Sequence, residues 1–142
     1  MAERRTLSFA EVKEGDELPK FTVANVSRTD IVKYAGASGD FNPIHHDEAF
    51  AKSAGYPSVF SHGMLSAGLL SKCLTDYVGR QNLRKYAVSF RAQVWPGDTV
   101  TYGGTVTKKL EEAGEKRIAG ELVAQNQKGE VVITGTFLAA LR

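Results

Sequence analysis

Residues 61–78 read SHGMLSAGLLSKCLTDYV, the best candidate in the chain for a long helix. On a helical wheel Met64, Leu65, Leu69, Leu70, Cys73, Leu74, Tyr77 and Val78 cover nearly every direction. A helix that is apolar on all sides belongs inside a core. Ala67, Gly68, Ser71 and Thr75 form a narrow stripe of small side chains. Such a stripe lets a second backbone or a ligand come close, and close packing against a sheet is its plainer use. Gly63 stands at the helix start. Its N–H is one of the donors a helix leaves unpaired, with the positive end of the dipole behind it. That arrangement suits an oxyanion.

The flanks say what surrounds such a helix. Downstream, residues 86–94, 99–108, 117–124 and 131–139 read as strands. Trp95-Pro96-Gly97-Asp98 and Gln127-Lys128-Gly129-Glu130 are turns between them. Upstream, residues 20–26 alternate loosely and read as a short strand. Ser27 is an N-cap with Asp30 three residues on, and opens a short helix whose apolar face is Ile31, Val32, Tyr34 and Ala35, before Gly36. Asp47 caps another short helix, in which Ala49, Phe50, Ala51 and Ala54 can pack and which Gly55-Tyr56-Pro57 ends. Helices followed by a run of antiparallel strands predict an α+β fold. The expectation is a sheet of consecutive hairpins curled around one long buried helix.

Composition narrows the classes. A chain of 142 residues fits one domain, residues 1–142, with a sizeable core. Charged residues at 24% and hydrophobic residues at 42% are ordinary for a soluble globular protein. A net charge of +2, with no basic run or stripe, argues against nucleic acid. No apolar stretch is long enough to span a bilayer, and the N-terminus lacks a secretory pattern. The single cysteine, Cys73, excludes an internal disulfide and fits a reducing compartment. The expected location is the cytoplasm. On the wheel Cys73 lies among Leu69, Leu70 and Tyr77, which predicts a buried, unreactive thiol.

The chemistry-bearing stretch is residues 34–45, YAGASGDFNPIH. Within six residues it carries a carboxylate (Asp40), an amide (Asn42), a proline (Pro43) and an imidazole (His45). Gly39 and Pro43 break a helix here, and Pro43 pushes Asn42 into a turn. The plain reading makes Asp40 and Asn42 turn residues, with His45 capping the next helix. The functional reading mounts an acid–base pair on a rigid bend. A metal is a rival use of His45, His46, Asp47 and His62, but their spacing matches no zinc template and they include no thiolate. His62 alternatively reads as a packed histidine whose ring bonds a carbonyl. Arg84, Lys85 and Arg91 are candidates to meet phosphates or an acidic carrier, although Arg84 and Lys85 fit solvated sheet-edge charges better. The chain has no glycine-rich phosphate loop and no dinucleotide fingerprint, so no cofactor is expected.

The 34–45 run followed by Ala51, Ser-His-Gly-Met-Leu at 61–65, Ser-Phe-Arg at 89–91 and Pro96-Gly97-Asp98 together resemble the MaoC-like family of (R)-specific enoyl-thioester hydratases and dehydratases. The likeness covers nearly the whole chain, and residues 12–79 look like actinobacterial dehydratase subunits acting on carrier-protein-bound chains. The resemblance implies the hot-dog fold and a catalytic pair, Asp40 and His45, holding one water. It implies that the Gly63 N–H binds the thioester oxygen. Asn42 then holds the loop or contacts the carbonyl or water, and Ser71 either orients Asp40 or simply packs. The implied substrate is an acyl thioester of coenzyme A or acyl carrier protein, with neither metal nor cofactor. The implied assembly is a homodimer, or a heterodimer with a related hot-dog subunit, whose acyl tunnel lies at the subunit boundary. A hot-dog thioesterase shares the fold, but the Asp40/His45 loop suits hydration. A non-catalytic acyl-binding subunit could lack that pair.

Overall fold

Ser27 and Asp30 exchange side-chain-to-backbone hydrogen bonds at 3.0 Å each, and this capping box starts α1, Arg28–Ser38. The computed structural model describes residues 7–142. Helix α1 runs on through Gly36, three residues past the expected end at Ala35, and is capped by Gly39, whose φ of 74° is left-handed. Asp47 caps α2, Glu48–Ser53, by accepting from the Phe50 N–H at 3.0 Å. Of the α2 residues expected to pack, Ala51 is fully buried, whereas Phe50 stays 43% exposed. The long helix is α3, Gly63–Val78, with His62 at its N-cap position.

The strands are β1, Phe21–Val23; β2, Leu83–Phe90; β3, Val100–Glu112; β4, Glu115–Gln125; and β5, Val131–Leu141. They form one antiparallel sheet in the order β1-β3-β4-β5-β2. Strands β3, β4 and β5 are consecutive hairpins, the second of them closed by the expected 127–130 turn. Strand β2 is not: it begins three residues before the expected 86 and pairs with β5, not β3. The chain leaves the sheet after Phe90 because the next turn is tied elsewhere. The Asp98 carboxylate accepts from Trp95 N–H at 2.9 Å and from the Gln127 amide at 2.8 Å. Val26 exchanges backbone hydrogen bonds with Gly97 and Asp98 at 2.7 and 2.8 Å. The segment is therefore a crossover from the β2 edge to β3, the neighbour of the opposite edge strand β1.

Helix α3 lies in the concavity. Leu70 and Leu74, one turn apart, are both 0% exposed among Val100, Val106, Ile118, Ile133 and Ala139 of the core. Each such leucine contributes about 1.5–3 kcal/mol of burial. Register irregularities at Val106/Lys108 and Ala124/Gln125 accompany the curl. Gly120 is required by close approach, since a methyl there would run into the Phe137 ring and the Thr105 carbonyl. The helix is not enclosed on all sides, which corrects the wheel-based expectation: Met64 is 60% exposed. A single sheet covers one face of a helix. Ala67 from the small-residue stripe is buried, but a methyl added to Gly68 would meet open space. The stripe therefore meets the sheet at Ala67, whose carbonyl accepts the Tyr86 hydroxyl of β2 at 2.6 Å, but not at Gly68. Cys73 is buried as expected, and its Sγ donates to the Pro19 carbonyl at 3.4 Å.

Candidate active site

After Gly39 the chain makes three short local bonds that set the bend. Asp40 N–H donates to Ser38 Oγ at 3.2 Å, Asn42 N–H to Asp40 Oδ1 at 3.2 Å, and Ile44 N–H to Asn42 Oδ1 at 3.1 Å. Asn42 thereby caps the 3-10 turn Pro43–His45 and holds the loop. The Asp40 carboxylate remains 52% exposed and can reach a ligand. His45, in contrast, is buried at 8% exposure. Its Nδ1 donates to the Phe60 carbonyl at 2.6 Å. A carbonyl only accepts, so the proton sits on Nδ1 and Nε2 presents a lone pair. Burial pushes the His45 pKa below the ordinary histidine value; the Phe60 carbonyl bond opposes this, neighbouring His62 adds to the lowering, Asp40 opposes it and His46 adds again. The Phe60 ring meets His45 edge-on at 5.2 Å and is itself backed by Trp95 at 5.5 Å.

The second half of the site comes from the start of α3. The His62 ring stacks on His45 with centroids 3.8 Å apart. Its Nε2 donates to the Asp40 backbone carbonyl at 3.0 Å and lies 4.0 Å from Asp40 Oδ2. One side-chain atom from each of Asp40, His45 and His62 thus lies within 4.8 Å of the others. Gly63 follows directly, at the first position of α3. A methyl on Gly63 would sit 3.0 Å from two carbons of the Phe90 ring. A cavity of about 270 Å³ lies beside His62, Gly63, Phe90 and Arg91. A more apolar cavity of about 380 Å³ is lined by Val23, Tyr34, Leu65, Leu69 and Tyr102 among others, and shares Ser61 and Ser66 with the first.

Some sequence expectations require correction. The metal rival set does not assemble as drawn. His46 turns its Nε2 to the Phe41 carbonyl at 3.2 Å, and Asp47 is occupied in capping α2. The trio that could offer ligand atoms is Asp40, His45 and His62, with His62 Nε2 already bonded to the Asp40 carbonyl. Ser71 does not join Asp40 within the chain: its hydroxyl donates to the Gly68 carbonyl at 2.7 Å. Eight residues of helix place it about 12 Å along the axis from Gly63. Arg84 is taken by Glu115, with Nη2 to Oε1 at 2.8 Å. Phe60 and Tyr34 are site neighbours that residue-level reading missed. The Phe60 contribution is a backbone carbonyl, which no sequence pattern marks. Tyr34 meets the His62 ring edge-on at 4.9 Å.

Comparison with known proteins gives the family and the fold. A family model described as MaoC like domain matches residues 11–128. An (R)-specific enoyl-CoA hydratase of Rhodospirillum rubrum is 35% identical over 129 residues, covering 89% of this chain and 86% of its own. The unliganded R-hydratase PhaJ1 of Pseudomonas aeruginosa has the same fold, with a TM-score of 0.83 and 26% identity over 96% of this chain and 86% of that one. A chain of the ChsH1-ChsH2 complex of Mycobacterium tuberculosis matches with a TM-score of 0.78 and 27% identity, over 92% of this chain and 98% of that one. With the curled sheet around α3 and the residue 34–45 loop beside its N-terminus, these matches establish that the chain belongs to the MaoC-like family.

Proposed function

We propose that the protein adds water to trans-2-enoyl thioesters and, in reverse, dehydrates (R)-3-hydroxyacyl thioesters. The observation that carries this reading is the buried His45, whose Nδ1–H is held by Phe60 so that Nε2 keeps its lone pair, with a ring nitrogen within 4.8 Å of an Asp40 carboxylate oxygen. Asp40 and His45 Nε2 each accept one hydrogen of a single water. As the water oxygen bonds to C3, one O–H bond breaks and the pair takes that proton. The C2=C3 π electrons move towards C2 and the thioester oxygen, which takes the Gly63 N–H at the positive end of α3. The pair then supplies a proton to C2, so atoms and charge balance. Dehydration retraces these steps. The (R) preference is carried over from the names of the related hydratases.

The apolar cavity beside Leu65 and Leu69 is the candidate slot for the acyl chain. Arg91, at the cavity beside Gly63, suits the phosphates of coenzyme A or a phosphopantetheine arm. The outer edge of β2 has no strand partner among the described residues, and Phe41, Met64 and Phe90 are 63, 60 and 54% exposed. Such an edge favours pairing with a second hot-dog subunit, a second copy for the chain expressed alone. No helix among the described residues is long and apolar enough to cross a membrane. The buried free thiol of Cys73 is compatible with the reducing cytoplasm we assign to it.

The test incubates the protein with crotonyl-CoA and follows enoyl absorbance and free-thiol release in parallel. Loss of absorbance without thiol release is expected. Thiol release would make it a thioesterase, and silence in both channels would make it a binding subunit. Sedimentation at assay concentration tests the assembly, and a monomer with full specific activity would overturn it.

A further inference from the structure

Building on the hydratase reading, we propose that His62 is a positioning residue that locks the Asp40–His45 pair to the oxyanion donor at the start of α3. His62 is 2% exposed, makes two contacts with the site and is covalently joined to a third part of it. Its Nε2–H donates to the Asp40 carbonyl at 3.0 Å, which orients the peptide directly following the carboxylate-bearing residue. Its ring face lies on His45 at 3.8 Å with a 28° interplanar angle. Its own carboxyl side is the peptide whose N–H belongs to Gly63. One residue thus touches the acid, the imidazole and the oxyanion donor.

The fourth nitrogen of the pair of rings explains why packing alone is an insufficient account. Bonding through Nε2–H leaves His62 Nδ1 as a lone pair, and that atom is buried without a partner. An unpaired buried nitrogen destabilises the fold. A phenylalanine of similar shape would stack on His45 and meet Tyr34 without that penalty. What it would lack is the donor to Asp40. Among the described residues Asp40's other bonds, to Ser38 and Asn42, are local, and the loop's ties to Phe60 start further on, at Ile44 and His45; the His62 bond joins Asp40 itself to the start of α3. Misplacing a reacting group by about 1 Å costs on the order of 100-fold in rate.

The experiment compares His62→Phe and His62→Gln with the wild type and with Asp40→Asn in the crotonyl-CoA assay. Gln places its amide nitrogen near the position of imidazole Nε2, so it keeps the donor and loses the ring. For His62→Phe the expected result is a folded protein with kcat lowered about 10- to 100-fold at nearly unchanged KM. His62→Gln should regain most of that kcat. A His62→Phe enzyme with wild-type kcat would overturn the proposal, as would equal losses in both variants. If His62→Phe does not fold, His62→Asn replaces it, because its shorter amide cannot span to the Asp40 carbonyl and it should fall well below Gln. Histidine 15N chemical shifts of the wild type read the tautomer without any turnover, and a proton on Nδ1 of His62 would also sink the idea. An inactive wild type with the Nε2–H tautomer would instead refute the hydratase reading and leave the clamp intact.

Discussion

Replacing Asp40 by asparagine separates chemistry from folding more cleanly than any other change in this site. Among the described residues the carboxylate makes one hydrogen bond, accepting the Asn42 N–H at 3.2 Å. An amide oxygen accepts that bond equally well. The side chain is 52% exposed, so the exchange leaves no cavity and buries no new polar group. The stability change should therefore stay within about 0.5 kcal/mol, a shift of roughly 1–3 °C in Tm. Activity should respond very differently. Loss of a positioned acid or base lowers turnover at least ~100-fold, equivalent to ~2.7 kcal/mol of transition-state stabilisation. His45→Gln should lose a similar factor and, in addition, the buried bond to the Phe60 carbonyl, costing about 1 kcal/mol in stability. Because both residues act on one water, the double variant should be scarcely slower than the slower single. Melting curves and crotonyl-CoA turnover on the same purified samples decide the matter. Near-wild-type turnover in Asp40→Asn would remove the carboxylate from the mechanism, and a loss matched by a collapse in Tm would make its role structural.

Gly63→Ala should fold, since the added methyl presses at 3.0 Å on the half-exposed Phe90 ring, which can give way. It should still lower kcat about 100-fold by disturbing the oxyanion donor, and an unchanged kcat would place the thioester elsewhere. The depressed His45 pKa sets the acid limb of kcat/KM below the ordinary histidine value of 6.5. Between the two pKa values the unfolded chain binds more protons than the folded one, so this group's contribution to stability also falls as pH drops below 6.5. An acid limb centred above that value would contradict the buried, neutral imidazole. Burial pushes the Cys73 thiol pKa up, so a thiol reagent should label the native protein far more slowly than the denatured one. Cys73→Ala should cost about 1 kcal/mol of stability while sparing turnover, and rapid native labelling would show the thiol to be open.

Features carried by neighbours in sequence were legible from the chain alone. The Ser27/Asp30 capping box, the Asp47 cap and the break at Gly39 each depend on a few adjacent residues. The long helix and the β3-β4-β5 hairpins follow from periodicity and turn residues in the same way. Asp40 and His45 could be paired because one rigid bend holds both. Contacts between segments distant in sequence were decided only by the tertiary structure. Strand β2 lies on β5 because Asp98 and Val26 tie the intervening turn to other loops, and no local pattern encodes those partners. His45 gains its free Nε2 from the carbonyl of Phe60, a group that every residue type carries. His62 reads in sequence as a packed histidine bonding a carbonyl, and it is one; that the carbonyl is Asp40's and the stacked ring is His45's depends on bringing the start of α3 against a loop about twenty residues earlier. Local chemistry sets which groups are available, whereas the burial and orientation that make them reactive arise from packing between segments that the sequence keeps apart.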